Sequence, residues 1–190
     1  GTSEFLIEIT YGNGTYVAVG TSGTILTSKD GITWTTAASG LTNNGTTVAL
    51  YGVTYGNNTY VAVGNANYGN GAVFTSTNGS DWSFQNSGSD ATFFDVTYAN
   101  NFTASGHGGA IIYSSDGTSW ASSDNVTSNQ LYGVAYGGGI YLGVGDNYTL
   151  IYSFNGTTWG NMGSSGNSSI NDIIYANSNF YAIMDNGYIH

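Results

Sequence analysis

The 190-residue chain carries eleven acidic residues and one basic residue, Lys29, and it contains no cysteine. A net charge of −10 argues against binding to nucleic acid or to an anionic membrane through phosphate groups. The lack of cysteine excludes disulfides, thiolate metal sites and cysteine nucleophiles. No apolar run approaches the roughly 18 residues of a membrane-spanning helix, so we expect no membrane span.

The core of this chain is expected to be aromatic. Leu, Ile, Val and Phe together make up only about a fifth of the residues, a level at which disorder becomes a concern. Sixteen Tyr and four Trp compensate, because aromatic rings bury large areas per residue. The sequence therefore predicts a folded chain.

A first motif recurs five times along the chain. "YGNGTYVAVG" at Tyr11 returns as "YGNNTYVAVG" at Tyr55, "YANNFTASG" at Tyr98, "YGGGIYLGVG" at Tyr136 and "YANSNFYAIM" at Tyr175. Self-similarity at a period near 40 residues is typical of propellers and other repeat folds.

A second motif follows each of the first four copies of the first and contains all four tryptophans. Its copies are "SKDGITW", "STNGSDW", "SSDGTSW" and "SFNGTTW". The acidic or amide residue is expected to bond its own backbone, and the Gly to accept a positive φ. These structural corner residues are Asp30 and Trp34, Asn78 and Trp82, Asp116 and Trp120, and Asn155 and Trp159.

Each repeat reads as four short antiparallel strands. In "ALYGVTYGNNTYVAVG" two alternating strands flank an Asn-rich turn, which is a strong hairpin signal. A third strand leads into the corner, and the Trp opens a fourth. We therefore predict an all-β fold, a β-propeller of about five four-stranded blades in one domain, with the last blade incomplete. The expected blades are 4–47, 48–91, 92–128, 129–168 and a partial 169–190.

The corner motif resembles the Asp-box, or bacterial neuraminidase repeat, although it has one residue fewer between Ser and Trp than the usual form. The resemblance implies a propeller in which the acidic side chain ties the turn and the Trp packs between strands. Sialidase activity is not expected, because sialidases hold the substrate carboxylate with several arginines and this chain has one basic residue. We expect no enzyme and no catalytic residues.

Three acidic residues share one position in the repeat. Glu8, Asp95 and Asp172 each stand three residues before the repeat Tyr, where the other blades have Gly52 and Gly133. Equivalent positions of a propeller surround its central channel, so these carboxylates are candidates for an ion site that holds calcium. The alternative is that they cap strand ends or face solvent. No other cofactor is expected.

A second set of polar residues falls in turns that could hold a ligand. His107, Asp146 and Asp185 follow the second strand of their blades, and Tyr68 and Tyr148 lie beside Asn and Gly in turns of the same kind. Loop tips of a propeller commonly bind ligands, and an aromatic ring beside amides suits a sugar. The alternative is that they are ordinary turn residues, since the turns differ between blades.

Sequons for N-glycosylation are frequent. The candidates expected in exposed turns and linkers are Asn13, Asn44, Asn57, Asn101, Asn125, Asn147 and Asn167. Asn78 and Asn155 also lie in sequons, but they occupy the acidic position of the corner and are interpreted as structural. Glycans on these residues would indicate a secreted or surface protein.

These features favour an extracellular structural or adhesive surface protein, a glycosylated subunit of a surface filament or layer. An incomplete last blade would leave an open strand edge, and we expect Tyr188, Ile189 and His190 to form an assembly edge for neighbouring subunits. The alternative function is a glycan-binding propeller lectin. The expected partners are therefore copies of the chain or other subunits, or glycans.

Overall fold

The computed structural model describes residues 2–66, 70–164, 166–185 and 187, and this part of the chain is built almost wholly from short antiparallel strands. The first blade consists of β1 (Leu6–Gly12), β2 (Thr15–Gly20), β3 (Ile25–Ser28) and β4 (Thr35–Ala38). A small hairpin of β5 (Thr42–Asn43) and β6 (Thr46–Thr47) follows it. The second blade consists of β7 (Ala49–Gly56), β8 (Thr59–Asn65), β9 (Gly71–Ser76) and β10 (Ser83–Gln85).

The remaining strands repeat this arrangement. The third blade consists of β11 (Phe93–Tyr98), β12 (Phe102–Gly106), β13 (Ile111–Ser114) and β14 (Ala121–Ser122). The fourth consists of β15 (Leu131–Gly137), β16 (Ile140–Gly145), β17 (Leu150–Ser153) and β18 (Gly160–Gly163). The fifth is a two-stranded sheet of β19 (Ile170–Ala176) and β20 (Asn179–Met184). Single 3₁₀ turns at Thr21–Gly23, His107–Gly109 and Asp146–Tyr148 join the second and third strands of three blades.

The first strands of the five sheets lie next to one another in chain order, so that each sheet packs face to face on the next. The hydrophobic core is accordingly divided into four layers, one between each pair of adjacent sheets. This radial stacking of four-stranded antiparallel sheets is a β-propeller. It confirms the predicted fold of about five blades with the last one incomplete.

The repeated Tyr-Gly pair is explained by packing between blades. The ring of Tyr55 occupies the space where a side chain at Gly12 of the preceding blade would lie, and Tyr175 does the same at Gly137. At these glycines any Cβ would collide with the ring, so the lack of a side chain makes room for the Tyr of the next blade. The third blade has Ala99 in the corresponding place.

In the first, second and fourth blades, aromatic rings form a ladder that ends at the corner tryptophan. In the second blade the ring centroids of Tyr55 and Tyr60 are 4.5 Å apart and those of Tyr60 and Trp82 are 6.4 Å apart. The fourth blade repeats the ladder through Tyr136, Tyr141 and Trp159. These rings add buried area to a core whose other buried residues are mostly Val, Ile, Leu and Ala.

The corners share one hydrogen-bonding pattern. Asp116 Oδ1 accepts from the backbone N–H groups of Thr118 and Ser119 at 2.7 and 2.8 Å, while Trp120 Nε1 donates to the carbonyl of Gly117 at 2.8 Å. The corresponding Oδ1 atoms that accept two backbone N–H groups belong to Asp30, Asn78 and Asn155, and the corresponding indoles belong to Trp34, Trp82 and Trp159. The same turn therefore forms with a carboxylate or an amide, because only an acceptor oxygen is needed.

Candidate functional site

The central channel is shaped by a β-bulge in the innermost strand of every blade. In the third blade the pairing of β11 with β12 shifts between Phe93 and Asp95, and the other four inner strands shift at the equivalent point. A bulge leaves one residue out of the ladder and turns nearby backbone N–H groups away from their usual partners. Each blade therefore needs a hydrogen-bond acceptor near its bulge for these backbone N–H groups.

The three predicted channel carboxylates supply these acceptors. Glu8 Oε2 accepts from the N–H of Val53 in the second blade at 2.6 Å. Asp95 accepts from Val96 of its own strand at 2.6 Å and from Val134 of the fourth blade at 2.7 Å. The carboxylates thus cap bulged backbone and also join the inner strands of adjacent blades.

Gly52 and Gly133 hold the position of the carboxylate in the second and fourth blades, and close packing between blades explains why they lack a side chain. A Cβ at Gly52 would lie 2.9 Å from the Cα of Asp95, and a Cβ at Gly133 would lie 3.1 Å from the Cα of Asp172. A blade that carries a carboxylate at this position therefore packs closely against a preceding blade that carries Gly.

Glu8, Asp95 and Asp172 line one cavity of about 190 Å³ at the channel mouth. Burial raises the pKa of Glu8 to about 9, with the charge of Asp95 adding to the effect, and burial raises the pKa of Asp95 to about 7. Burial also raises the pKa of Asp172. At neutral pH Glu8 therefore keeps its proton, and Asp95 is about half protonated.

Calcium binding in the channel stays a prediction. Among the residues described, no group of three or more His, Cys, Asp or Glu side chains has a spacing suited to a metal ion. The backbone contacts of Glu8 and Asp95 correspond to the alternative given above, in which the carboxylates cap strands.

The structure also shows an aromatic rim around this cavity, which was not predicted from the sequence. It consists of Tyr51, Phe94 and Tyr132, whose ring centroids follow one another at 6.0 and 5.4 Å around the cavity. Each ring belongs to the residue just before the acid or Gly position of its strand. That spacing could have revealed the rim, since aromatic residues hold this position in three of the five repeats.

Among the predicted ligand turns, those of Asp146 and Asp185 meet at one residue of the fifth blade, Ser169. Asp146 accepts a hydrogen bond from Ser169 of the fifth blade at 2.9 Å, and Asp185 accepts from the backbone of the same Ser169 at 3.2 Å. Tyr148 is half-buried and packs against the core layer between the fourth and fifth blades. His107 is exposed on the third blade, and Tyr68 lies outside the described residues.

Six of the seven sequon asparagines are exposed, and Asn101 is half-buried. The side-chain amides of four of them donate hydrogen bonds to other parts of the chain, namely Asn57, Asn101, Asn125 and Asn147. Asn13, Asn44 and Asn167 are the other three candidates. Whether any of the seven carries a glycan stays a prediction.

The outer surfaces of the first and last blades form a second feature that the sequence analysis missed. Leu6 and Ile9 are 46% and 54% exposed, whereas their counterparts Leu50 and Val53 in the second blade are 0% and 3% exposed. Together with Tyr11 they form what we call the first-blade face. It is the surface that each later blade buries against its predecessor.

The fifth blade has the complementary surface. Ile174 and Ile183 are 55% and 50% exposed, whereas their counterparts Ala135 and Val144 in the fourth blade are 7% and 1% exposed. With Tyr181 they form the fifth-blade face. The predicted assembly edge at Tyr188, Ile189 and His190 lies outside the described residues.

The fold and the channel define the chain as a β-propeller. It matches no protein-family model and no curated protein sequence. Its fold is similar to that of a solved structure described as YCF48 bound to D1 peptide, with a TM-score of 0.73 and 16% identity over 99% of this chain and 63% of that one.

Two further solved structures show the same likeness. The WD40 β-propeller domain of Doa1 has a TM-score of 0.72 and 11% identity over 100% of this chain and 64% of its own. A chain of the mitotic checkpoint complex has a TM-score of 0.76 and 11% identity over 100% of this chain and 61% of its own. The present chain thus spans less than two thirds of each. At these identities the likeness shows the fold alone.

In the described part of the chain, no helix has the length and apolar character needed to cross a bilayer.

Proposed function

We propose that this protein is a structural propeller without enzymatic activity that works by assembling with copies of itself. The observation that supports the proposal is the pair of apolar surfaces on the first and fifth blades that no other part of the described residues covers. Each is one half of an interface that the chain already forms four times between its own blades.

The two faces are suited to a head-to-tail contact. The fifth-blade face of one copy would meet the first-blade face of the next, as the fourth blade meets the fifth within the chain. Such a contact joins two different surfaces, so it produces a closed ring when the rotation closes and an open filament when it does not. Burying half-exposed Leu, Ile and Tyr side chains supplies the hydrophobic driving force.

The setting proposed for this assembly is extracellular, as a glycosylated subunit of a surface filament or layer. The exposed sequon asparagines and the low content of charged residues support this proposal. The corners resemble the Asp-box as a type of hairpin. The acceptor oxygen and the indole N–H bond that all four corners share support this resemblance.

The second candidate function is glycan binding, as in a propeller lectin. The observation that favours it is a groove beside the second blade that is lined by asparagine side chains and one phenylalanine.

Self-assembly is tested by sedimentation velocity of the purified chain over a wide concentration range at about 150 mM salt, where repulsion between acidic surfaces is screened. We expect species larger than the monomer that increase with concentration. Ile9→Asp and Ile183→Asp should each abolish them, because either change places a charge in the contact. Ile32→Asp is the control, since Ile32 is 84% exposed on a corner away from both faces.

A wild-type chain that stays monomeric at the highest concentration would refute the assembly proposal. Association that survives both Asp variants would show that the contact lies elsewhere, which would also refute it.

A further inference from the structure

Three departures from the repeat converge beside the second blade. The hairpin β5–β6 occurs between the first and second blades, and the described residues between the later blades form no counterpart to it. The segment 86–90 after β10 is held in a compact loop by its own Asn and Ser side chains. The outermost strand between them carries Phe84 where the other blades have Thr36, Ser122 and Asn161. In a repeat protein, a place where several departures meet is a place where the chain has been adapted.

Phe84 is an exposed ring in a fixed position. Its side chain is 43% exposed, and its ring packs edge-on against Phe74 with the centroids 5.6 Å apart. Because Phe74 is buried and β10 pairs with β9 at this point, the ring is held by the sheet. An ordered aromatic surface open to solvent can stack against the apolar face of a ligand.

The hairpin places amide groups across from this ring. Its two-residue turn, Asn44-Gly45, has positive φ at both positions, which is the geometry that Asn-Gly favours in tight hairpins. Asn43 is 8% exposed and donates from Nδ2 to the carbonyl of Gly71, so the hairpin is anchored to the second blade. Asn44 is left exposed at the tip.

The opposite wall is also built from amides and is internally braced. Asn86 Oδ1 accepts from the N–H of Gly88 at 3.0 Å, and Ser87 Oγ donates to the carbonyl of Ser89 at 3.0 Å. The Nδ2 group of Asn86 keeps its donors for a ligand, since the bond to Gly88 uses only the oxygen. Bracing of this kind lowers the entropy cost of binding.

These elements enclose a groove with a volume of about 460 Å³. Its chemistry is set by Asn43, Asn44, Asn70, Phe84, Asn86 and Asp90. Among the described residues that line the groove, none is cationic and Asp90 is the one acidic residue. Amides both donate and accept hydrogen bonds, which is what a ligand rich in hydroxyl groups requires. The volume is within the range of small-molecule sites in proteins.

We propose that this groove is a binding site for a neutral carbohydrate, with one sugar ring stacked on Phe84 and its hydroxyl groups bonded to the surrounding amides. The proposal deepens the second candidate function and is independent of the assembly proposal, which concerns other surfaces. The groove includes Asn70, which lies in the same predicted turn as Tyr68, and none of the other predicted ligand turns lines it.

The test uses protein made without N-glycosylation, because Asn44 itself lies in a sequon and a glycan there would fill the groove. The probes are the methyl glycosides of glucose, galactose, mannose, fucose and N-acetylglucosamine, with methyl glucuronide as the charged comparison. Saturation-transfer NMR identifies the sugar that binds, and calorimetry measures its affinity.

We expect at least one neutral glycoside to bind, with strongest saturation on one face of its ring, and methyl glucuronide to bind more weakly because Asp90 repels it. Phe84→Ala should weaken binding about tenfold or more. Asn44→Gly should also weaken it while keeping the backbone turn, which is a safeguard should Phe84→Ala fold poorly. Phe154→Ala is the matched control, since Phe154 is exposed on the fourth blade outside the groove.

Absence of saturation for every neutral glycoside at millimolar concentration would overturn the proposal. Tighter binding of the glucuronide, or binding unaffected by both groove variants, would overturn it as well. Sedimentation of the same variants should match that of the wild type, so failure here leaves the assembly proposal standing.

Discussion

Asp95 of the third blade accepts a hydrogen bond from the backbone N–H of Val134 in the fourth blade at 2.7 Å. One carboxyl group thereby connects two inner strands 39 residues apart in sequence. The channel acids therefore contribute to the stability of the fold. Because they are titratable, the free energy of unfolding should depend on pH.

Thermal stability should fall as the pH rises from about 4 to about 9. In this range Glu8 and Asp95, with pKa values raised to about 9 and about 7, keep protons in the folded state that they lose when unfolded. The folded state then binds more protons, so the free energy of unfolding decreases with pH until both groups are ionised in both states. We expect the melting temperature to be several degrees lower at pH 9 than at pH 5.

Glu8→Gln should flatten this profile, because the amide cannot ionise and its oxygen can still accept from Val53. Asp124→Asn, on an exposed linker, serves as the control and should leave the profile unchanged. A wild-type melting temperature that rises between pH 5 and pH 9 would contradict the raised pKa values.

The hydrogen bonds of the corner predict that two substitutions of Asp116 have different effects on the free energy of unfolding. Asp116→Asn should be less destabilising than Asp116→Ala at pH 7, because Asn78 and Asn155 make the same two backbone contacts at their own corners. Asp116→Asn removes only the charge, which the two backbone contacts stabilise by lowering the pKa of Asp116 to about 2. Asp116→Ala should lower the free energy of unfolding by about 1 kcal/mol, since two backbone N–H groups lose their acceptor. Urea denaturation measures both, and equal effects of the two changes would argue against the acceptor role.

A buried hydroxyl group offers a stabilising change. Thr103 is fully buried, and its Oγ1 finds no hydrogen-bond partner among the described residues. The equivalent residue in the second blade is Val61, which is also fully buried. Thr103→Val keeps the shape and removes the unsatisfied group, so it should raise the free energy of unfolding by about 1 kcal/mol.

The comparison variant is Thr103→Ser, which keeps the hydroxyl and deletes the methyl group. It should be destabilising, because it leaves a small cavity. If Thr103→Val lowered the urea midpoint, the hydroxyl would have a partner that the structure does not record.

The contact between Gly137 and Tyr175 predicts coupling between blades. Gly137→Ala places a methyl group where the Tyr175 ring lies, and it should cost about 1–3 kcal/mol through overpacking. The double variant Gly137→Ala with Tyr175→Ala should be less destabilised than the sum of the two single changes, because the clash is gone. A double-mutant cycle in urea measures this coupling. If the changes in the free energy of unfolding were simply additive, the Tyr175 ring would not be the reason for Gly137.

Much of the architecture follows from local sequence. The Asn-Gly turns, the alternating strands and the corner motif each depend on residues a few positions apart, and the aromatic repeat fixes their period. The positions of Glu8, Asp95 and Asp172 in the repeat were likewise enough to predict that they lie on the inner strands.

The sequence did not show what the blades leave uncovered. Leu6 and Leu50 hold the same place in the repeat, yet one is half-exposed and the other is buried, because only the second has a blade packed on it. The groove beside Phe84 likewise joins the hairpin of Asn43 and Asn44 to a strand and its following loop that come about 40 residues later in the sequence. By itself the sequence determined the blade, since turns and strands form through short-range contacts. Only the tertiary structure decided which blade surfaces, backbone N–H groups and loops meet, because these contacts depend on how whole sheets stack.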